Sequence, residues 1–199
     1  MESGLSQSMV ARAKKLKARA LRENVILQGE KIYLAPLEEE DLAASRVWVN
    51  DSSLWPMLLR YLPVTSKDER HWYDALISDP AKAVFAIRTV KEKRHIGITG
   101  FYEIDPVHRR ASLWVVIGEK EAWGKGYGSE AVQKMVAYGF QNLNLNRIYL
   151  DAAEENQSAI AVYKKNGFSE EGLFREHCFI EGKYRNIVRM ALLRRDCPS

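Results

Sequence analysis

Trp123-Gly124-Lys125-Gly126-Tyr127-Gly128-Ser129-Glu130 lies between an apolar strand pattern, Arg110–Ile117, and a helical pattern over Tyr127–Leu143. Glycines at alternate positions allow positive φ and close approach of backbone to a ligand. The start of the helix behind them leaves unpaired N–H groups and a dipole that favours an anion. A phosphate or pyrophosphate is the natural guest, and a tight turn rich in glycine for packing is the bland alternative. A nucleotide P-loop needs Gly-x-x-x-x-Gly-Lys-Ser/Thr. Here Gly118 precedes Gly124-Lys125 by one residue too many, and Gly126 stands where Ser or Thr is required. A dinucleotide fingerprint fails as well, because Gly124-x-Gly126-x-Gly128 has the wrong last spacing and several elements come before it.

Working outward, Lys31–Ala35 alternates as a strand, and Glu38–Asn50 reads as a helix with acids in its first turn. Asp51–Pro63 reads as a loop, and Thr65 or Ser66 caps a second helix that runs to about Ser78. Ala83–Thr89, His95–Glu103 and Arg110–Ile117 are β-rich runs with short links, which predicts an antiparallel meander. After the glycine loop, Val132, Met135, Val136, Gly139, Phe140 and Leu143 recur at helical spacing. Arg147–Ala152 is the next strand. Asn156 or Ser158 opens a short helix that stops at Asn166-Gly167. Phe168–Phe179 and Lys183–Leu193 are the last strands, joined by a turn at Glu181-Gly182. The order predicts a mixed α/β fold with a strand–loop–helix–strand crossover at its centre.

The 199 residues are 46% apolar and 28% charged, which bounds the chain to one globular domain with a short appendage. The domain is expected over 29–195 and a basic, helical extension over 1–28. Residues 1–24 hold six basic and two acidic side chains, which accounts for the whole formal charge of +4 and leaves the remainder neutral. Nucleic acid is therefore expected to be met only through that tail, if at all. No stretch of 18 apolar residues suits a membrane span, and no secretory h-region is present. Cys178 and Cys197 form no CxxC, so no metal site is expected, and the compartment expected is the cytoplasm.

Two motifs in register carry a family resemblance. Gly126 and Gly128 fit the Gln/Arg-x-x-Gly-x-Gly/Ala signature of the GCN5-related N-acetyltransferase (GNAT) superfamily, with Trp123 in the Gln/Arg position as a departure. Asn156, Ala159, Tyr163, Lys165, Gly167 and Phe168 fit Asn-x-x-Ala/Ser-x-x-x-Tyr-x-Lys-x-Gly-Phe, one helix and one strand later. The chain from about Lys31 to Leu193 resembles the branch of ribosomal-protein alanine and spermidine N-acetyltransferases. The resemblance implies a mixed, mostly antiparallel sheet of about seven strands with flanking helices, and acetyl-CoA as co-substrate with no metal. It implies that Leu113–Ile117 and Ile148–Ala152 splay apart, and that backbone near Val115, Val116 and Ile117 holds the pantetheine arm. The cofactor loop would be Trp123, Gly124, Lys125, Gly126, Tyr127, Gly128 and Ser129. Asn156, with Ser158 beside it, would hold the pantetheine arm or simply cap its helix. Tyr163 matches the position of a proton donor to the leaving thiolate. Glu103 is the base candidate, with Asp105 and His108 as rivals.

An acetyl-cysteine route finds no suitably placed histidine, because His177 is adjacent to Cys178 and points to the other face of its strand. The acceptor site is expected from the Asn50–Pro63 loop, the second helix and the turn around Glu176–Gly182. That loop carries one acid, Asp51, among mostly apolar groups. A protein N-terminus or a small amino compound is therefore the expected acceptor, with spermidine or another polyamine as the alternative. A non-catalytic acetyl-CoA sensor is the reading from a different class. Homodimer formation is compatible with the sheet edges.

Overall fold

A computed structural model describes residues 25–59 and 62–197, so the basic extension expected as helix over 1–28 lies outside the described residues up to residue 24, while its end differs from the expectation: Leu27–Gln28 form a strand of the sheet. The antiparallel meander is present as β3 (Ala83–Thr89), β4 (His95–Asp105) and β5 (Arg110–Ile117). It is extended on one side by β2 (Ile32–Pro36) and a two-residue β1 (Leu27–Gln28). On the other side come β6 (Arg147–Ala153), β8 (Lys183–Leu193) and the edge strand β7 (Ser169–Ile180). The single sheet among the described residues has the order β1-β2-β3-β4-β5-β6-β8-β7, eight strands where about seven were expected. Only β5 and β6 are parallel, as expected of strands joined by a helical crossover.

Alternation along the strands sorts side chains onto two faces. Phe85 and Ile87 point to one core with Phe101, Leu113, Ile148 and Leu150. The intervening Ala86, with Ile98, points to the other. The first core is covered by α4 (Tyr127–Gln141) and α5 (Gln157–Lys165), through Val132, Met135, Val136 and Ile160. The second lies under α1 (Leu42–Val49) and α3 (Ser66–Ile77), through Leu42, Trp48, Tyr73 and Leu76. Thr65 and Asp68 cap α3 reciprocally, which fixes its start.

The structure departs from the sequence expectation in three places. Residues 52–58, expected as loop, form a 3₁₀ turn (Ser52–Leu54) and the short helix α2 (Trp55–Leu58). Asp51 accepts from the Ser53 N–H, and Pro56 sits in the first turn of α2, where its missing N–H costs nothing. Strand β4 runs on to Asp105 through a bulge that puts Glu103 at φ +54°. Helix α4 stops at Gln141, and Asn144 turns the chain at φ +55°.

Behind the site, Trp48 packs flat against Gly118, where an added Cβ would overlap the indole. The Trp48 Nε1–H donates to Glu119 at 3.1 Å. Gly118→Ala is expected to destabilise the chain by about 1–3 kcal/mol through overpacking. A chemical-denaturation midpoint equal to wild type would show that the indole has room to move.

Candidate active site

The parallel pairing of β5 with β6 covers only Arg110, Ala111 and Ser112 against Arg147, Ile148 and Tyr149. Beyond that point the two strands part. Backbone polar groups on the facing edges are then left for a ligand or water. The Trp114 carbonyl accepts from Thr99 Oγ1 of β4 at 2.8 Å, so it faces β4. By alternation Val115 turns its N–H and C=O toward the open edge. Ile117 differs from expectation at its carbonyl, which accepts from the Trp123 indole N–H at 2.8 Å. That bond gives Trp123 a place: the indole ties the glycine loop to the end of β5, and the ring lines the opening. Asp51 pairs with Lys120 at 2.5 Å, fastening the α2 loop to the same corner.

The gap between the strands widens into a cavity of about 630 Å³. Val115, Val116, Ile117, Trp123, Gly124, Gly126, Tyr127, Gly128, Ser129, Asn156, Ser158 and Tyr163 all line it. Lys125 does not; its contribution is a carbonyl, which accepts from Lys31 Nζ at 3.2 Å. Gly124 and Gly126 adopt φ +72° and +85°, and Gly126 is the N-cap of α4 with no side chain over the helix start. The first-turn N–H groups of α4 therefore remain for an anion. Ser129 is not the cap: its Oγ accepts from Asn166 Nδ2 at 3.2 Å, which leaves its O–H to donate. Asn156 caps α5 with Oδ1, accepting from Ala159 N–H at 3.2 Å and Ser158 Oγ at 2.9 Å. Its Nδ2 is the half that can reach a ligand, so capping and ligand contact do not exclude each other.

Tyr163 is buried on α5 and packs against Phe168, with ring centroids 6.0 Å apart. Burial pushes its phenol up to about 12. A phenol so shifted stays protonated over the working range of an enzyme, so it holds a proton to give, and the same shift makes it a weaker acid than a free tyrosine.

Glu103 is not on the cavity wall. It is exposed at the β4 bulge and accepts a short hydrogen bond from the Tyr149 hydroxyl. Burial, then that carboxylate, push Tyr149 up to about 12. The rivals are turn residues: Asp105 accepts the N–H groups of Val107 and His108 at 3.0 and 2.8 Å. Asp151 is the carboxylate that lines the cavity, and sequence reasoning passed over it. The available signal was Arg147, Tyr149 and Asp151 at alternate positions of a strand whose other residues are apolar. Arg189 of β8 holds Asp151 bidentately, at 2.9 and 2.7 Å. The same guanidinium lies over the rings of Tyr149 and Phe174, at 5.2 and 5.0 Å.

From the expected acceptor elements, Leu54, Met57 and Leu58 close the cavity on the side of α1–α3. Neither α3 nor the turn around Glu176–Gly182 contributes to the lining of this cavity. Among the described residues no group of His, Cys, Asp or Glu gathers as metal ligands, and no helix is long and apolar enough to cross a membrane.

The family model of the acetyltransferase (GNAT) domain matches residues 31–169. The spermidine N(1)-acetyltransferase of Escherichia coli K12 is 35% identical over 161 residues, covering 81% of this chain and 85% of that protein. The Vibrio cholerae spermidine N(1)-acetyltransferase is 36% identical over 132 residues, covering 66% of this chain and 75% of that one. A crystal structure of spermidine N-acetyltransferase from Vibrio cholerae in complex with CoA and spermine superposes with a TM-score of 0.80 at 30% identity, covering 84% of this chain and 98% of that one.

Proposed function

The chain belongs to the GNAT acetyltransferase family and is an acetyl-CoA-dependent N-acetyltransferase; from that premise we propose that its acceptor is a polyamine of the spermidine class. The observation that supports this reading is the match over most of both chains to enzymes described as acting on spermidine. It favours the alternative over the acceptor expected first, a protein N-terminus or small amino compound. The apolar wall of Leu54, Met57 and Leu58 speaks for that first acceptor and keeps it as the second reading.

In the proposed mechanism acetyl-CoA supplies the activated acetyl thioester. The N–H groups at the start of α4 hold its phosphates, and the backbone of Val115 and the Nδ2 of Asn156 hold the arm. The Val115 N–H polarises the thioester carbonyl, an oxyanion-type contribution. Asp151 receives the acceptor ammonium at the cavity wall, and the amine loses its proton there to water. As the amine nitrogen bonds to the carbonyl carbon and the C–S bond breaks, Tyr163 gives its proton to the departing sulfur, and the proton that the acylated nitrogen then sheds returns through water to the tyrosinate, leaving a neutral amide and a free thiol. Glu103 is a positioning residue in this scheme, holding Tyr149 against the Arg189 that orients Asp151.

The test is thiol release from acetyl-CoA with separate pools of polyamines, N-terminal peptides, amino acids and amino sugars. Release dependent on spermidine is expected. Release with N-terminal peptides and none with polyamines would replace this reading by the second one. Asp151→Asn is expected to raise the KM for spermidine about tenfold, the worth of one charge-assisted hydrogen bond, with KM for acetyl-CoA unchanged. An unchanged spermidine KM would remove Asp151 from the acceptor site.

A further inference from the structure

The turn between β1 and β2 is stitched to the start of α4. The Glu130 carboxylate accepts from the backbone N–H groups of Glu30 and Lys31, the latter at 3.1 and 3.2 Å. Gly29 permits this approach, because a Cβ there would overlap the Glu130 carboxylate. The consequence is the placement of one side chain. Lys31 Nζ donates to the Lys125 carbonyl at 3.2 Å, and a Cβ on Gly126 would come within 3.3 Å of it. The ammonium thus sits on the glycine loop itself, one residue before α4. Among the described residues no carboxylate pairs with it within salt-bridge distance. Neither Lys31 nor Lys125 lines the cavity with its side chain; what sets Lys31 apart is an Nζ placed on the loop backbone.

We infer that Lys31 is a phosphate-binding residue of the coenzyme A site, supplied to the glycine loop by the β1–β2 turn. The inference rests on the acyltransferase reading of that site. The loop's backbone N–H groups offer dipoles and no full charge, whereas the diphosphate and 3′-phosphate of coenzyme A are anions. The domain without its tail is neutral, so phosphate neutralisation depends on individual cations placed at the loop. A lysine held by its backbone to α4 and resting on a loop carbonyl is ordered before the ligand arrives, so little side-chain entropy is lost on binding.

The experiment is equilibrium binding of coenzyme A and of 3′-dephospho-coenzyme A to the full chain at two or more salt concentrations. It needs no acceptor, so its outcome is independent of which amine is acetylated. Lys31→Met keeps the backbone N–H that Glu130 binds and is expected to weaken coenzyme A about tenfold and to flatten the salt dependence of Kd. Lys31→Arg is expected to retain binding within about threefold. A Lys31→Met penalty that persists with 3′-dephospho-coenzyme A assigns the ammonium to the diphosphate. One that disappears assigns it to the 3′-phosphate. Binding by Lys31→Met within twofold of wild type overturns the inference. So does weakening with an unchanged salt slope, which would mean that Lys31 supports the turn and carries no electrostatic contact. Failure of the wild-type chain to bind coenzyme A would instead sink the reading on which this inference rests.

Discussion

Tyr163→Phe is expected to lower kcat by about 10²–10⁴-fold, the usual worth of a positioned general acid, and to leave coenzyme A affinity within twofold. The variant keeps the ring that packs on Phe168 and removes only the hydroxyl. Because the phenol is pushed up to about 12 by burial, its acid form persists as pH rises, and Tyr163 itself imposes no loss of kcat below about pH 10. A falling alkaline limb in that range would belong to another group. Steady-state kinetics against pH, with coenzyme A binding measured separately, distinguish the two. Wild-type turnover in the variant would leave the departing thiolate to be protonated by water and would remove the acid role.

Gly126→Val is expected to weaken coenzyme A by about 100-fold or more. Gly126 holds φ +85° as the N-cap of α4, a conformation that a β-branched residue adopts only under strain. Two losses coincide at this position. Backbone forced out of the left-handed region no longer aims the first-turn N–H groups of α4 at the phosphates. The new side chain also crowds Lys31 Nζ, already within 3.3 Å of a Cβ. The penalty should fall on ligand affinity more than on stability, since Gly126 lines the cavity rather than the core and α4 buries its apolar stripe well beyond that residue. Calorimetric binding beside a thermal melt tests this. A large drop in Tm with affinity intact would show that the glycine serves the fold and not the ligand.

Much of this site is legible in residue order because its parts are local. The alternation in Arg110–Ile117, the glycines at 124, 126 and 128 and the 3/4 spacing after Tyr127 lie within one stretch of chain. Together they determine a strand, a turn that takes up positive φ and a helix start that favours an anion. The seven-residue step from Asn156 to Tyr163 spans two turns of one helix, so it carries both to the same cavity. What tertiary structure decided lies between residues distant in the chain. Lys31 meets Lys125, Tyr149 meets Glu103, and Arg189 meets Asp151. Each of these side chains is, in sequence, an ordinary charged or aromatic residue on a strand or in a turn; alternation can place Tyr149 and Asp151 on one face, but periodicity names the partner of none of them. The parting of β5 from β6 after Ser112 is of the same kind, since no residue pattern in either strand marks where pairing ends. Hydrophobic periodicity reports which face of an element is buried. Which polar side chains come together on the other face depends on strand order and register, and those exist only once the sheet has assembled.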